Sequence, residues 1–286
     1  MKPALRDALG RILGHAVASS TRLGGGSIND AAEVTLANGA RLFVKTHPNP
    51  PAGMFEAEAR GLRWLEEADA IRVPRVLAVS DTKPAYLALE LLSPSRRRGS
   101  FDEELGRSLA ALHAFGAHSF GLDHDNFIGR LAQSNAPATD WATFYWTSRL
   151  EPQLRLAFDH GLIDGRLRSR FDTLGNALPD LTGPAEPPAR LHGDLWGGNL
   201  HVDERGAPCV IDPAVYGGHR EIDLAMMRLF GGFGERVFSA YAEAMPLSPG
   251  ADRRVLLYQL YPLLVHVNLF GHSYVGSVER ALSAYA

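Results

Sequence analysis

The chain has 286 residues, 45% of them hydrophobic and 21% charged, a balance typical of folded, water-soluble proteins and far from disordered or fibrous chains. That length suits two domains or one large bilobed unit. Lys plus Arg number 29 against 32 Asp plus Glu, and the net charge of -3 removes any whole-chain electrostatic reason to expect nucleic-acid binding.

The N-terminal segment sets Leu5, Leu9, Ile12, Leu13 and Ala16 at helical spacing and interrupts them with Arg6, Asp7 and Arg11. It predicts an amphipathic surface helix over 3–17 and no signal peptide or membrane anchor. The single cysteine, Cys209, excludes an internal disulfide and the zinc-finger and CxxC readings, so a reducing compartment, the cytoplasm, is the expected setting. From Arg22 to about Leu92 the pattern is strand-like with one helix inserted. An Asn38-Gly39 turn predicts a hairpin from Ala31 to Thr46, and Phe55, Ala59, Leu62 and Leu65 predict a helix over Met54 to Ala68. Val73 to Val79 and Tyr86 to Leu92 read as two further strands. Together they make a small antiparallel sheet with one helix, residues 1–92. Beyond Ser93-Pro94-Ser95 helical periodicities begin at Leu105, Leu109, Leu112 and His113, so 93–286 reads as a larger, mostly helical lobe. Leu191 to Val202 and Ala207 to Ile211 interrupt it as short strand-like pieces, the form that catalytic loops often take. Leu256 to Phe270, the most apolar stretch, is too short to span a membrane and reads as a buried helix or helix pair.

One of those pieces carries the chemistry. His192-Gly193-Asp194-Leu195-Trp196-Gly197-Gly198-Asn199 fits the catalytic-loop pattern H-R-D-L-x-x-x-N with Gly193 in place of Arg. Phosphoryl transfer needs a carboxylate to accept the proton of the attacking hydroxyl and an amide oxygen to help bind magnesium, so Asp194 is the expected base and Asn199 a metal ligand. Asp212, ending the apolar run Cys209-Val210-Ile211, is the expected second metal ligand. The remaining parts come upstream in order. Gly24, Gly25, Gly26 and Ser27 form a glycine loop open to phosphate oxygens, Lys45 sits on a strand to pair the phosphates, and Glu58 on the following helix orients Lys45. Glu56 lies on another face of that helix and is the weaker partner. The nucleotide and ion implied are ATP and Mg2+.

These residues resemble the fructosamine kinases (ketosamine 3-kinases), relatives of the aminoglycoside and choline kinases. The resemblance is carried by LHGDLWGGN at Leu191–Asn199, IDPAVYGGHREIDLAM at Ile211–Met226, LFGGF at Leu229–Phe233 and MFEAEARGL at Met54–Leu62. DNFIG at Asp125–Gly129, WATFYWTSRLEPQL at Trp141–Leu154 and LLYQLYPLL at Leu256–Leu264 extend it over nearly the whole chain. It implies an α+β, bilobed protein-kinase-like fold and ATP-dependent phosphorylation of the 3-hydroxyl of a ketosamine. The phosphorylated adduct then decomposes and releases the amine, repairing a glycated protein or metabolite. Ser27 stands where a number of relatives carry Cys, so a redox switch through an intermolecular disulfide is not expected there.

The resemblance also implies roles for further residues. Asp223 would brace the catalytic-loop backbone, and His192 would hold that loop or serve as a second proton acceptor. Backbone groups of Glu90 and Leu92 would meet adenine, a position that an ordinary edge strand would fill equally well. Trp196, Tyr216, His219, Trp141 and Arg149 are candidates for the acceptor side, although aromatic residues at helical spacing commonly build a core. Arg96-Arg97-Arg98 reads as a solvated loop and not as a nucleic-acid patch. An aminoglycoside- or choline-type kinase is the second enzyme reading and a nucleotide-binding pseudokinase scaffold the third. The sequence leaves the choice between monomer and dimer open.

Overall fold

The computed structural model describes residues 1–24 and 29–285, which fall into two compact units: Met1–Phe101 with Leu200–Pro213, and Asp102–Asn199 with Ala214 onward. The glycine-loop residues Gly25, Gly26 and Ser27 lie outside the described residues.

The first unit opens with α1 (Pro3–Leu13), followed by β1 (Val17–Leu23), β2 (Asp30–Leu36), β3 (Arg41–Thr46), α2 (Met54–Glu66), β4 (Val76–Ser80) and β5 (Tyr86–Glu90). The strands form one antiparallel sheet in the order β1-β2-β3-β5-β4. The β2–β3 hairpin turns where Asn38-Gly39 predicts it. Gly39 takes φ 85 and the Asn38 side chain accepts the Ala40 N–H at 3.0 Å. Successive side chains on a strand point to opposite faces. Leu42 and Val44 therefore join Leu5 and Leu9 of α1 in one core, while Lys45 turns to the other face and meets α2. That helix starts where two of its first amides, on Phe55 and Glu56, donate to the Asp81 carboxylate at 3.1 Å each.

Two features differ from the expectation. The first helix stops at Leu13, because Gly14 takes a left-handed φ of 73, and β1 follows at once. β1 reads VASSTRL with only Val17 buried, so it has no apolar alternation by which the sequence could show it. The division at Leu92 also shifts. Residues 93–101 and the hairpin Leu200–Val202 against Pro208–Val210 pack with the sheet unit, the latter through a bridge of Arg72 to Cys209 and a 2.9 Å bond from Val210 N–H to the Arg72 carbonyl.

The second unit continues with α3 (Phe101–Phe115), β6 (Asn126–Ile128), β7 (Leu131–Gln133), α4 (Trp141–Phe144), a π-turn over Tyr145–Leu150, α5 (Glu151–Asp159), α6 (Gly165–Leu181) and β8 (Ala189–Leu191). After the hairpin strands β9 and β10 (Leu200–Val202 and Pro208–Val210) come β11 (Tyr216–Gly218), α7 (Glu221–Phe230), α8 (Glu235–Ala244), α9 (Ala251–Phe270) and α10 (Val275–Leu282). The apolar stretch at Leu256–Phe270 is one buried helix, α9, packed on α7, α5 and α10. It is apolar nearly all round, as a helix enclosed by others should be. No helix among the described residues is long and apolar enough to cross a membrane. β8, which leads into the loop that carries Asp194, pairs with β11.

Candidate active site

In the first unit, Lys45 reaches from β3 into a buried position, its Nζ 2.7 Å from Glu58 Oε1 and 2.5 Å from Asp212 Oδ1. Burial by itself would lower the pKa of this ammonium, but the two carboxylates outweigh it and the pKa is raised, so the group is a fixed cation. Glu56 has the Arg63 guanidinium 3.9 Å away. Asp212 is held at φ 54, a left-handed conformation that costs a non-glycine residue about 1–3 kcal/mol and that is concentrated at functional positions. Glu90 ends β5 and its N–H donates to the Arg75 carbonyl at 2.9 Å. Leu92 follows the strand, partly buried.

A residue that the sequence does not single out organises this half. Arg72 spans Glu90 at 3.3 Å, Asp203 at 2.8 Å and Glu204 at 2.7 Å, and Asp203 also accepts the backbone amides of Arg205 and Ala207. The guanidinium thus links the end of β5 to the hairpin that leads to Asp212. Nothing in the local sequence of Arg72 distinguishes it from a solvated surface arginine.

In the second unit, the buried Asp223 on α7 accepts the backbone N–H of His192 at 2.8 Å and that of Gly193 at 2.9 Å. His192 Nδ1 in turn accepts the Asp194 N–H at 3.3 Å, so the histidine serves the loop as a hydrogen-bond partner. Asn199 donates its amide to the Asp194 carbonyl at 2.8 Å and to its carboxylate at 3.1 Å. With the nitrogen so engaged, the side-chain oxygen is the atom Asn199 has to offer a cation. Burial pushes the Asp223 carboxyl up, but hydrogen bonds and charge from His113, His192 and Gly193 outweigh it and hold it below its ordinary 3.8. A carboxyl lowered in this way contributes stability that is present above its unfolded-state value and is lost as pH falls through the lower folded value. The expected result is that urea midpoints fall below about pH 4, and that Asp223→Asn, less stable at neutral pH, shows a flatter acid limb. Parallel acid limbs for the two proteins would contradict this account of Asp223.

Of the acceptor-side candidates, Trp141, Tyr216, His219 and Arg149 are buried and packed in the core. Trp141 stacks on Tyr145 at 5.3 Å, His219 on Tyr258 at 5.3 Å, and Arg149 lies 3.8 Å over the Tyr216 ring while donating to Ser134, Ser148 and Asn135. Side chains packed on one another in this way belong to the core of this unit. Only Trp196 is exposed, at 41%. It stands edge-on to Phe230 at 6.4 Å, and Phe230 contacts His266 at 4.6 Å, so a run of aromatic rings leads away from Asp194 across this unit. Phe230 and His266 escape sequence reading because they come from α7 and α9, with only the family motif LFGGF near the first as a pointer.

Asn199 in the second unit and Asp212 in the first each carry a hard oxygen donor of the kind magnesium takes, and among the described residues no group of three or more His, Cys, Asp or Glu could hold a metal ion.

The architecture of a small antiparallel sheet unit and a helical unit, with a buried Lys–Glu pair in one and a braced Asp-to-Asn loop in the other, defines the protein-kinase-like fold class. A choline kinase of Streptococcus pneumoniae shares it in fold alone, with a TM-score of 0.63 at 16% identity over 98% of this chain and 96% of that one. The fructosamine kinase family profile matches residues 1–285, and the chain belongs to that family. The protein-ribulosamine 3-kinase of Arabidopsis thaliana chloroplasts is 38% identical over 267 residues, 92% of this chain and 81% of that protein. A solved structure from Thermobifida fusca, assigned as a fructosamine-3-kinase, superposes with a TM-score of 0.92 at 39% identity, covering 99% of both chains.

Proposed function

We propose that this chain transfers the γ-phosphoryl group of ATP to the 3-hydroxyl of a ketosamine, the adduct of a sugar with an amine. The observation that carries the reading is the loop Asp194–Asn199, in which a carboxylate is oriented by a neighbouring amide on a backbone tied to a buried aspartate. The enzyme is a phosphotransferase acting on a hydroxyl group, and its family implies ATP as donor. Asp194 accepts the proton as the hydroxyl oxygen forms its bond to phosphorus and the bond to the ADP leaving oxygen breaks. Lys45, kept charged by Glu58, pairs the phosphates, and backbone groups of Glu90 and Leu92 meet the adenine. Asn199 and Asp212 would hold Mg2+, which when bound neutralises charge on the phosphate oxygens. Trp196 and the rings beyond it offer a sugar ring an apolar face. Cys209, buried with its thiol pushed up to about 12 by burial, suits a cytoplasmic enzyme that uses no disulfide chemistry.

The test is magnesium-dependent ADP release on ribulosamine- and fructosamine-type lysine adducts, run beside kanamycin and choline. Turnover on the ketosamines alone is the expected result. Turnover confined to kanamycin or choline would move the enzyme to another acceptor class, and MgATP binding with no turnover on any of them would favour a scaffold.

A further inference from the structure

The strongest unassigned cluster lies behind the catalytic loop, where three helices of the second unit bring together side chains with no access to solvent. His113, near the end of α3, places Nε2 3.2 Å from Asp223 Oδ2 on α7 and Nδ1 2.8 Å from the Tyr241 hydroxyl on α8. All three are buried, and the His113 and Tyr241 rings meet edge-on with centroids 5.5 Å apart.

An ionised carboxylate only accepts, so His113 Nε2 donates to Asp223, while the other ring nitrogen meets the Tyr241 hydroxyl, which also lies 3.6 Å from Met245 Sδ. Asp223 Oδ2 thereby accepts two donors, the His192 amide and His113 Nε2, and Oδ1 a third, the Gly193 amide. Two backbone amides on one edge leave the carboxylate free to swing about its last torsion with the loop following, whereas a third donor on a fixed ring pins its plane.

We propose that His113, oriented by Tyr241, is a positioning residue that fixes the plane of the Asp223 carboxylate and through it the backbone carrying Asp194. The functional half of this inference rests on the kinase reading above; the mechanical half does not. Hydrogen–deuterium exchange over 191–199 tests the hold without any acceptor, with a peptide from α9 as internal reference. In His113→Leu, loop exchange is expected to rise on the order of tenfold, the loss of one hydrogen bond to a charged group, while α9 is unchanged. His113→Gln, whose amide N–H reaches the Nε2 position, should restore most of the protection, and Tyr241→Phe should give a smaller rise confined to the loop. In the ketosamine assay kcat of His113→Leu should fall about tenfold with KM for ATP within about twofold. Unchanged loop exchange, or an equal rise in α9, overturns the proposal. A loosened loop with undiminished kcat overturns its functional half. If His113→Leu does not fold, Tyr241→Phe decides, and the absence of a loop-specific rise there rejects the relay. A wild-type protein that turns over no ketosamine counts against the proposed function and leaves the exchange result standing.

Discussion

Asp194→Asn is expected to lose turnover by about 10²–10⁴-fold while binding MgATP almost as well as the parent protein. The substitution keeps the shape of the side chain and an oxygen for the Asn199 amide, so the 2.8 Å bond from that amide to the Asp194 carbonyl survives. What disappears is the capacity to take up a proton as the acceptor oxygen attacks phosphorus. Lys45, Glu58 and Asp212 belong to the other unit and are untouched, so nucleotide affinity should be preserved. The measurement is kcat on the best ketosamine beside a titration of MgATP binding. Full activity in Asp194→Asn would reject the base assignment, and a parallel loss of nucleotide affinity would show that Asp194 serves binding more than chemistry.

Gly193→Ala should be nearly as damaging, for a reason that is entirely geometric. Gly193 sits at φ 81, and a Cβ built there would lie 2.1 Å from the Ala214 carbonyl oxygen and 2.8 Å from its carbon. The strained backbone alone costs about 1–3 kcal/mol, and a collision with main chain cannot be relieved by turning a rotamer. One side must move. Either the Gly193 amide leaves Asp223, or the segment that starts with Ala214, whose N–H is bonded to the His192 carbonyl at 2.9 Å, is displaced. The first misdirects the loop that carries Asp194, and the second pulls on the chain that follows Asp212 and Pro213. A drop in melting temperature together with at least a tenfold loss of kcat is expected, since the lost bond is one to a charged group. A Gly193→Ala protein with unchanged melting and turnover would show that the loop is built differently. The same crowding accounts for the arginine missing from the catalytic-loop pattern, because no longer side chain fits beside Ala214.

The groups proposed to react could be picked out in the sequence because phosphoryl transfer dictates both residue type and spacing. Asp194 and Asn199 are bound to one short loop, and Lys45 and Glu58 to a strand and the helix after it. The β2–β3 hairpin was legible through the chemistry of Asn38-Gly39. What escaped depends on partners far apart in the chain. His113 looks like one more residue on the apolar face of α3 until α7 and α8 bring Asp223 and Tyr241 to it, and Arg72 acquires its meaning only when the β9–β10 hairpin arrives beside it. For Arg149, a charged residue in an aromatic stretch, the sequence could not show that the guanidinium is buried among carbonyls and ring faces.

Because the hairpin at 200–213 belongs to the sheet unit, that unit cannot be finished in the order in which the chain is synthesised. When the first hundred residues have left the ribosome, Lys45 has Glu58 but lacks Asp212, and Arg72 has Glu90 but lacks Asp203 and Glu204. Two cations therefore wait for carboxylates that are translated after the whole catalytic loop. A fragment ending near Phe101 would carry those charges only partly compensated, so the two units are joined in their folding history, and the nucleotide half is completed from the far side of the chain.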